Sequence, residues 1–281
     1  MNSKQKAVQI IWQLLKYYLG DANALKIIKF WLHLLPSKYA FPLTWVTLSE
    51  FPVNSQSEFE YTYGTARQFP QRMVKVNPNC LHARFFVVSG YYEEYLTKEI
   101  MSPQRKGLFV DIGANFGYYS VLWLQKDETR AIAVEPVQEY VEILHENLKD
   151  YDSRYLIFDG CIGDRDGVAF LDTLGEPTML SKVVADAARP NTRSVPMLTL
   201  SSLLKKYNEE KIDVLKVDAE GYDINILESC KPLFEAKAIK TVFWETANSP
   251  EEKNIIEFLE NLGYSKILDK ASTGYELVSN L

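Results

Sequence analysis

Two acids that end apolar stretches, Asp111 and Glu135, with Gly113 and Gly117 beside the first, are the residues best suited to hold a charged, sugar-bearing ligand. Leu108 to Val110 lean towards a strand and Tyr118 to Leu124 towards a helix, so the run Val110-Asp111-Ile112-Gly113-Ala114-Asn115-Phe116-Gly117 is a strand-to-helix turn. Such a turn aims backbone N–H groups and a helix N-terminus into the crevice where open α/β sheets bind ligands. A nicotinamide fingerprint wants G-x-G-x-x-G, and Asn115 stands where its second glycine should be. Asp111 would repel a pyrophosphate but can accept bonds from an ammonium group. Glu135 lies 24 residues after Asp111, where a ribose diol is usually held. S-adenosylmethionine carries both an amino-acid end and a ribose, so it fits this pair better than NAD. A tight turn with no ligand would leave the agreement between glycines and acid without a cause.

A second constellation is Leu215-Lys216-Val217-Asp218-Ala219-Glu220-Gly221, at the end of another apolar run. Asp218 would sit on the same rim as the glycine turn. Lys216 is two residues earlier on the same face, roughly 6–7 Å away by strand geometry, and can pair with Asp218 or orient an acceptor oxygen. A buried lysine on a central strand is unusual, and a structural ion pair or a helix-capping acid is the plainer role for the two. Glu245 ends a further strand on that rim. Asp218, Glu220 and Glu245 lack an ordered ligand spacing, so they read as hydrogen-bonding or capping groups and no metal is expected. His33 and His82 lie outside the main fold segment and His145 sits in its second helix, so a histidine base is the minor alternative.

Positioning these residues requires a regular series of elements. Strands at 108–111, 130–135 and 154–159 alternate with helices at 116–125 and 138–149, the βαβαβ pattern of a parallel sheet. Cys161 to Leu171 reads as a small hairpin around Asp166-Gly167, followed by a polar stretch with no clear period. A helix at 201–207, strands at 212–217 and 239–245, helices at 222–229 and 250–262, and a closing hairpin of 264–268 with 275–278 complete the series. Residues 1–89 form a separate extension and 90–281 the main domain. In the extension, residues 4–19 and 24–35 read as amphipathic helices, and 41–86 as short strands or an irregular cover.

The 281 residues are 47% hydrophobic and 24% charged, which describes a globular chain with a sizeable core. A net charge of −6 with no basic run lacks the footprint of a nucleic-acid binder. Three cysteines, Cys80, Cys161 and Cys230, are odd in number and far apart, so neither a disulfide framework nor a zinc site is indicated and a reducing, cytoplasmic setting is expected. The start only loosely resembles a signal peptide, because Gln9, Gln13, Lys16 and Asp21 interrupt it. Trp12, Tyr17, Tyr18, Phe30 and Trp31, with Lys4, Lys6, Lys16, Lys26 and Lys29, suit packing on the main domain or a second subunit, with a peripheral membrane contact as the alternative.

Val110 to Gly117, Val134-Glu135-Pro136 and Leu215 to Gly221 together resemble the FkbM-type family of S-adenosylmethionine-dependent methyltransferases. The third segment is the most specific, since many class I methyltransferases share the glycine turn. The resemblance spans roughly 90–278, with Gly90 to Glu94 and Cys161 to Asp164 also in place. It implies the class I, Rossmann-like α/β fold: a mostly parallel seven-stranded sheet whose last strand is antiparallel, here with an N-terminal helical extension. It implies cofactor contacts from Asp111, Gly113, Asn115, Gly117, Glu135, Asp159, Gly160 and Asp218, and methyl transfer to a hydroxyl of a sugar, glycan or natural product. Asp218, Lys216 and Glu245 would serve the acceptor and its proton. Two positions depart from the family: Ser201 where relatives have an aspartate, and Gly160-Cys161 where they have a polar residue and alanine. A dehydrogenase would need the missing glycine pattern, and a scaffold without cofactor would have lost the glycines or Glu135.

Overall fold

The computed structural model of the chain describes residues 14, 17, 18, 27, 59–62, 73–76, 93–151, 153–172, 182–184, 192–245, 249–266 and 275–279. The chain divides into two compact units, Met1–Glu94 and Tyr95–Leu281. In the first, residues 14, 17, 18 and 27 are helical. Its strands β1 (Phe59–Thr62) and β2 (Met73–Val76) pair antiparallel, Phe59 opposite Val76. The other elements expected over residues 4–35 and 41–86 lie outside the described residues.

The second unit opens with α1 (Glu94–Met101) and then alternates strand and helix: β3 (Gly107–Ile112), α2 (Tyr118–Leu124), β4 (Thr129–Glu135), α3 (Gln138–Leu148) and β5 (Tyr155–Asp159). After an intervening segment come α4 (Leu200–Lys206), β10 (Ile212–Val217), α5 (Asp223–Ser229), α6 (Lys231–Glu235), β11 (Ile239–Glu245) and α7 (Pro250–Asn261). β12 (Ser265–Lys266) and β13 (Tyr275–Ser279) close the unit.

These strands form a seven-stranded sheet in the order β12-β13-β11-β10-β3-β4-β5. β5, β4, β3, β10 and β11 are parallel, and β13 runs antiparallel to both β11 and β12. The chain therefore lays strands outward from β3 in one direction and then crosses to β10 on its other side. That reversal opens a crevice at the carboxyl ends of β3 and β10, where α/β sheets bind ligands. Both strands are buried along almost their whole length, as expected where helices cover both faces of a parallel sheet. Val110, Ile132, Leu215, Val217, Ile226, Phe234 and Trp244 belong to one continuous core. Asp213, a polar exception in β10, accepts a bond from the Leu108 N–H at 2.8 Å and so ties the two central strands near their start.

The stretch after β5 departs from the sequence reading. β6 (Cys161–Ile162) and β7 (Gly167–Asp172) do not pair with each other as a hairpin. β9 (Thr192–Leu198) lies between them, parallel to β6 and antiparallel to β7, and β8 (Lys182–Val184) adds to the far edge of β7, giving a four-stranded second sheet. β9 can pair on both sides because its backbone N–H and C=O groups point to both edges, while the alternation of its side chains buries Val195 and Met197 on one face. Two smaller differences concern helices. α6 forms around Pro232 in its first turn, where no helix is expected from periodicity. α4 begins at Leu200, one residue before the expected start, and is capped by Thr199, whose side chain accepts the Ser202 N–H at 3.1 Å.

Candidate active site

The turn after β3 is built from left-handed backbone at alternate positions: Gly113 at φ 73, Asn115 at φ 52 and Gly117 at φ 84. Gly113 is required twice over, because a Cβ there would also lie 2.0 Å from the Asp218 carbonyl oxygen. Gly117 starts α2 and lets it close on α3, since a Cβ would meet Leu144 Cδ1 at 2.5 Å. Asn115 tolerates the left-handed region through a local bond, its Oδ1 accepting the Phe116 N–H at 2.8 Å. The Val134 carbonyl receives both the Gly113 and Ala114 N–H groups at 3.0 Å, so the loop is pinned to the end of β4.

Glu135 completes that pin. Its Oε2 accepts the Asn115 N–H at 2.7 Å and its Oε1 the Val137 N–H at 2.9 Å. Burial pushes its carboxyl up to about 7, against the pull of the two N–H bonds and of Lys216. Each carboxylate oxygen has a second lone pair, so accepting a backbone N–H still leaves capacity for a ligand hydroxyl.

Lys216 is a buried cation, 1% exposed, at the meeting point of the loop and β10. Its Nζ lies 3.5 Å from Asp111 Oδ1 and 3.2 Å from Asp218 Oδ2, and it donates to the carbonyls of Ile112 at 3.4 Å and Gly113 at 3.2 Å. The Tyr119 ring lies beneath it, 5.6 Å to the centroid. Asp111 is wholly buried, accepts the Ser120 hydroxyl at 2.8 Å, and is held above the usual carboxylate range by burial, with Lys216 opposing. Asp218 keeps 24% of its side chain exposed and bonds back through its N–H to the Ile112 carbonyl at 3.2 Å.

The loop Ala219-Glu220-Gly221 follows, with Glu220 at φ 51 and Gly221 at φ 93. Asp223, 3% exposed, straightens it by accepting the Ala219 and Gly221 N–H groups, each at 3.2 Å. Burial first, and the charge of Asp218 second, push the Asp223 carboxyl up to about 6. The sequence reading did not single out Asp223; an acid in the first turn of a helix after Glu-Gly is the signal that marks it.

Between these groups lies an open cleft enclosing about 700 Å³, part of it in contact with solvent. Its polar lining includes Asn115, Glu135, Asp218 and Glu220, and its apolar lining Val137, Tyr140, Cys161, Ile162, Leu171 and Tyr222. The apolar wall joins α3 to the second sheet, whose buried cluster contains Val137, Tyr140, Cys161 and Leu171. Of the expected site residues, Gly113, Asn115, Glu135 and Asp218 line the cleft. Asp111 and Lys216 lie behind it. Gly117 heads α2. Gly160 donates its N–H to the Glu135 carbonyl at 3.2 Å, while a Cβ on it would meet the Pro196 carbonyl oxygen at 2.5 Å. Asp159 and Glu245 are exposed at the ends of β5 and β11. Among the described residues no group of three or more His, Cys, Asp or Glu is placed to hold a metal ion.

A sheet in this order, with a glycine turn and an acid at the ends of its first two parallel strands, has the Rossmann-like α/β architecture of the class I methyltransferase fold. The model described as Methyltransferase FkbM domain matches residues 111–266, more than half of the chain, and the chain belongs to that family. Comparison with curated proteins gives no match. Among solved structures, the METTL16 MTase domain is 10% identical at a TM-score of 0.40, with 66% of this chain and 66% of that chain covered. An rRNA methylase from Streptococcus thermophilus is 10% identical at a TM-score of 0.39, covering 67% and 95%. An O-methyltransferase from Bacillus cereus in complex with SAH is 14% identical at a TM-score of 0.35, covering 66% and 80%.

Proposed function

We propose that this chain is an S-adenosylmethionine-dependent O-methyltransferase acting on a neutral, hydroxyl-rich small molecule or glycan. The observation that carries the reading is Asp218, a carboxylate on the cleft wall, ion-paired at 3.2 Å to a buried lysine and still partly exposed. The donor set suits the cofactor: Glu135 offers acceptors for a ribose diol, the glycine turn allows close approach, and the wall of Val137, Tyr140, Ile162 and Leu171 suits a flat aromatic base.

When bound, S-adenosylmethionine supplies an electrophilic methyl group on a sulfonium, so transfer to a hydroxyl forms a C–O bond, releases the thioether and frees the hydroxyl proton. Asp218 is the group that takes that proton, because a sugar hydroxyl is nearly as weak an acid as water, pKa about 15.7, and attacks well only as its proton leaves. Lys216, paired with Asp218 at 3.2 Å, fixes the direction of that carboxylate. Glu245, at the end of β11, is the second candidate for an acceptor contact.

The charge of the cleft lining supports a neutral acceptor. Three carboxylates, Glu135, Asp218 and Glu220, and neither lysine nor arginine stand among its described lining residues. Such a wall disfavours phosphate-rich acceptors and favours hydroxyls that donate to carboxylates. Screening glycans, polyols, RNA and acyl thioesters with methyl-labelled cofactor tests this. Label on a neutral hydroxylated acceptor is the expected result; label on RNA alone, or calorimetric binding of NAD in preference to S-adenosylhomocysteine, overturns the reading.

A further inference from the structure

Every backbone donor from Gly113 to Gly117 is used inside the protein. Gly113 and Ala114 donate to the Val134 carbonyl at 3.0 Å, Asn115 to Glu135 Oε2 at 2.7 Å, Phe116 to Asn115 Oδ1 at 2.8 Å and Gly117 to the Ala114 carbonyl at 2.8 Å. The loop after β10 behaves alike: Asp218 donates to the Ile112 carbonyl, and Ala219 and Gly221 to Asp223, each at 3.2 Å. Neither loop therefore offers the run of successive N–H groups that cradles a phosphate or carboxylate. The polar lining is anionic instead, with Glu135, Asp218 and Glu220 and neither lysine nor arginine among its described residues. Lys216, buried behind it, lies between two carboxyl groups, Asp111 at 3.5 Å and Asp218 at 3.2 Å, so its one charge does not offset both. The crowding reaches Asp223, whose carboxyl is pushed up to about 6 by burial first and by Asp218 second. A ligand cation relieves such crowding and a neutral ligand does not.

On the cofactor reading of the cleft, on which this step rests, we propose that its carboxylates discriminate by charge between the sulfonium cofactor and its thioether product. S-adenosylmethionine binds more tightly than S-adenosylhomocysteine, and loss of the charge on methyl transfer drives product release. The two compounds share adenine, ribose and amino-acid groups and differ by one methyl group and one positive charge, so Glu135 and the apolar wall serve both alike. In the transfer the acceptor oxygen forms a bond to the methyl carbon, the C–S bonding pair stays on sulfur, and the hydroxyl proton passes to Asp218. The ligand loses its positive charge as Asp218 loses its negative one, so the attraction between them disappears from both sides. Asp218, with 24% of its side chain exposed, then returns the proton to water.

Titration calorimetry of the full chain needs no acceptor and tests the proposal with three compounds: S-adenosylmethionine, S-adenosylhomocysteine and sinefungin, whose ammonium group stands where the sulfonium does. The two cationic compounds should bind on the order of tenfold more tightly than S-adenosylhomocysteine, the scale of one ion contact at a partly solvated wall, and the gap should narrow as salt is raised. Asp218→Asn and Glu220→Gln should each weaken S-adenosylmethionine about threefold and leave S-adenosylhomocysteine within about twofold, and the two together should close the gap. Retained binding of S-adenosylhomocysteine shows that each variant keeps its fold. Equal or tighter binding of S-adenosylhomocysteine by the unaltered chain, or a gap that persists in the double variant, overturns the proposal and leaves the cofactor reading standing. Failure of all three compounds to bind overturns that reading and the proposal with it.

Discussion

Glu135 works on both sides of the cofactor question, because its two oxygens already hold the loop through Asn115 and Val137. With its carboxyl raised to about 7 from 4.5, its contribution to folding stability is complete below about 4.5 and is lost as pH rises through about 7. Ligand hydroxyls donate to the ionised form, so S-adenosylhomocysteine should bind more tightly as pH rises through 7, releasing a proton just below it. Calorimetry in two buffers of different ionisation enthalpy reads that proton directly; pH-independent affinity would remove the role. Glu135→Gln should weaken binding by about 1–3 kcal/mol and abolish the pH dependence. Asp218→Asn should lower turnover about 10²-fold while leaving S-adenosylhomocysteine affinity nearly unchanged. Near-normal turnover in that variant, with loss in Glu245→Gln, would move the base to Glu245. Lys216→Met strips the cation from two neighbouring carboxylates, one wholly buried, and should cost about 3–5 kcal/mol of stability in denaturant unfolding.

At the level of elements, the loop between β10 and α5 depends on one acid from the helix that follows it. Asp223 has a carboxyl raised to about 6 from 3.8, so its stabilising contribution is complete below about 3.8 and declines as pH rises through 6. Asp223→Asn should flatten the stability profile between those limits, and Asp223→Ala should cost about 1–3 kcal/mol by orphaning two N–H groups. An unchanged unfolding midpoint in Asp223→Ala would show the loop holds itself. The strand ends are coupled too: the Asp218 carbonyl occupies the space a side chain at 113 would need, which makes that glycine a packing requirement. Sequence periodicity located β3, β4, β5, β10 and β11 within one or two residues because each is a short apolar run. It missed the pairing of β6 and β7 with β9, since Cys161 meets Met197 and Gly167 meets the same residue from the other side.

For the molecule as a whole, cofactor occupancy should appear as stability. S-adenosylhomocysteine at about 100 times its Kd would add about 2.7 kcal/mol to the folded state, a rise in Tm of about 5–10 °C for a domain of this size. Differential scanning calorimetry checks it; a Tm insensitive to ligand would argue that the cleft does not take the cofactor. An acidic cleft on a chain of net charge −6 also offers RNA little attraction. Excess RNA should therefore leave S-adenosylhomocysteine affinity unchanged in the same calorimetric titration, and competition would contradict the electrostatic reading.

The sequence by itself determined the order of the parallel strands of the main sheet, the glycine turn at 113–117, the acid at 135 and the segment 215–221, because periodicity, left-handed backbone and a strand-end acid are properties of short stretches. It also left open whether Lys216 and Asp218 were a structural pair or an acceptor site; the tertiary structure shows the pair and places Asp218 on the cleft wall. Only the fold could put Asp111 behind the cleft between Ser120 and Lys216, or bring Tyr140 and Leu171 together as its apolar wall. Those arrangements depend on where side chains point once strands far apart in the chain have paired, and that direction is set by packing between elements, which local sequence does not carry.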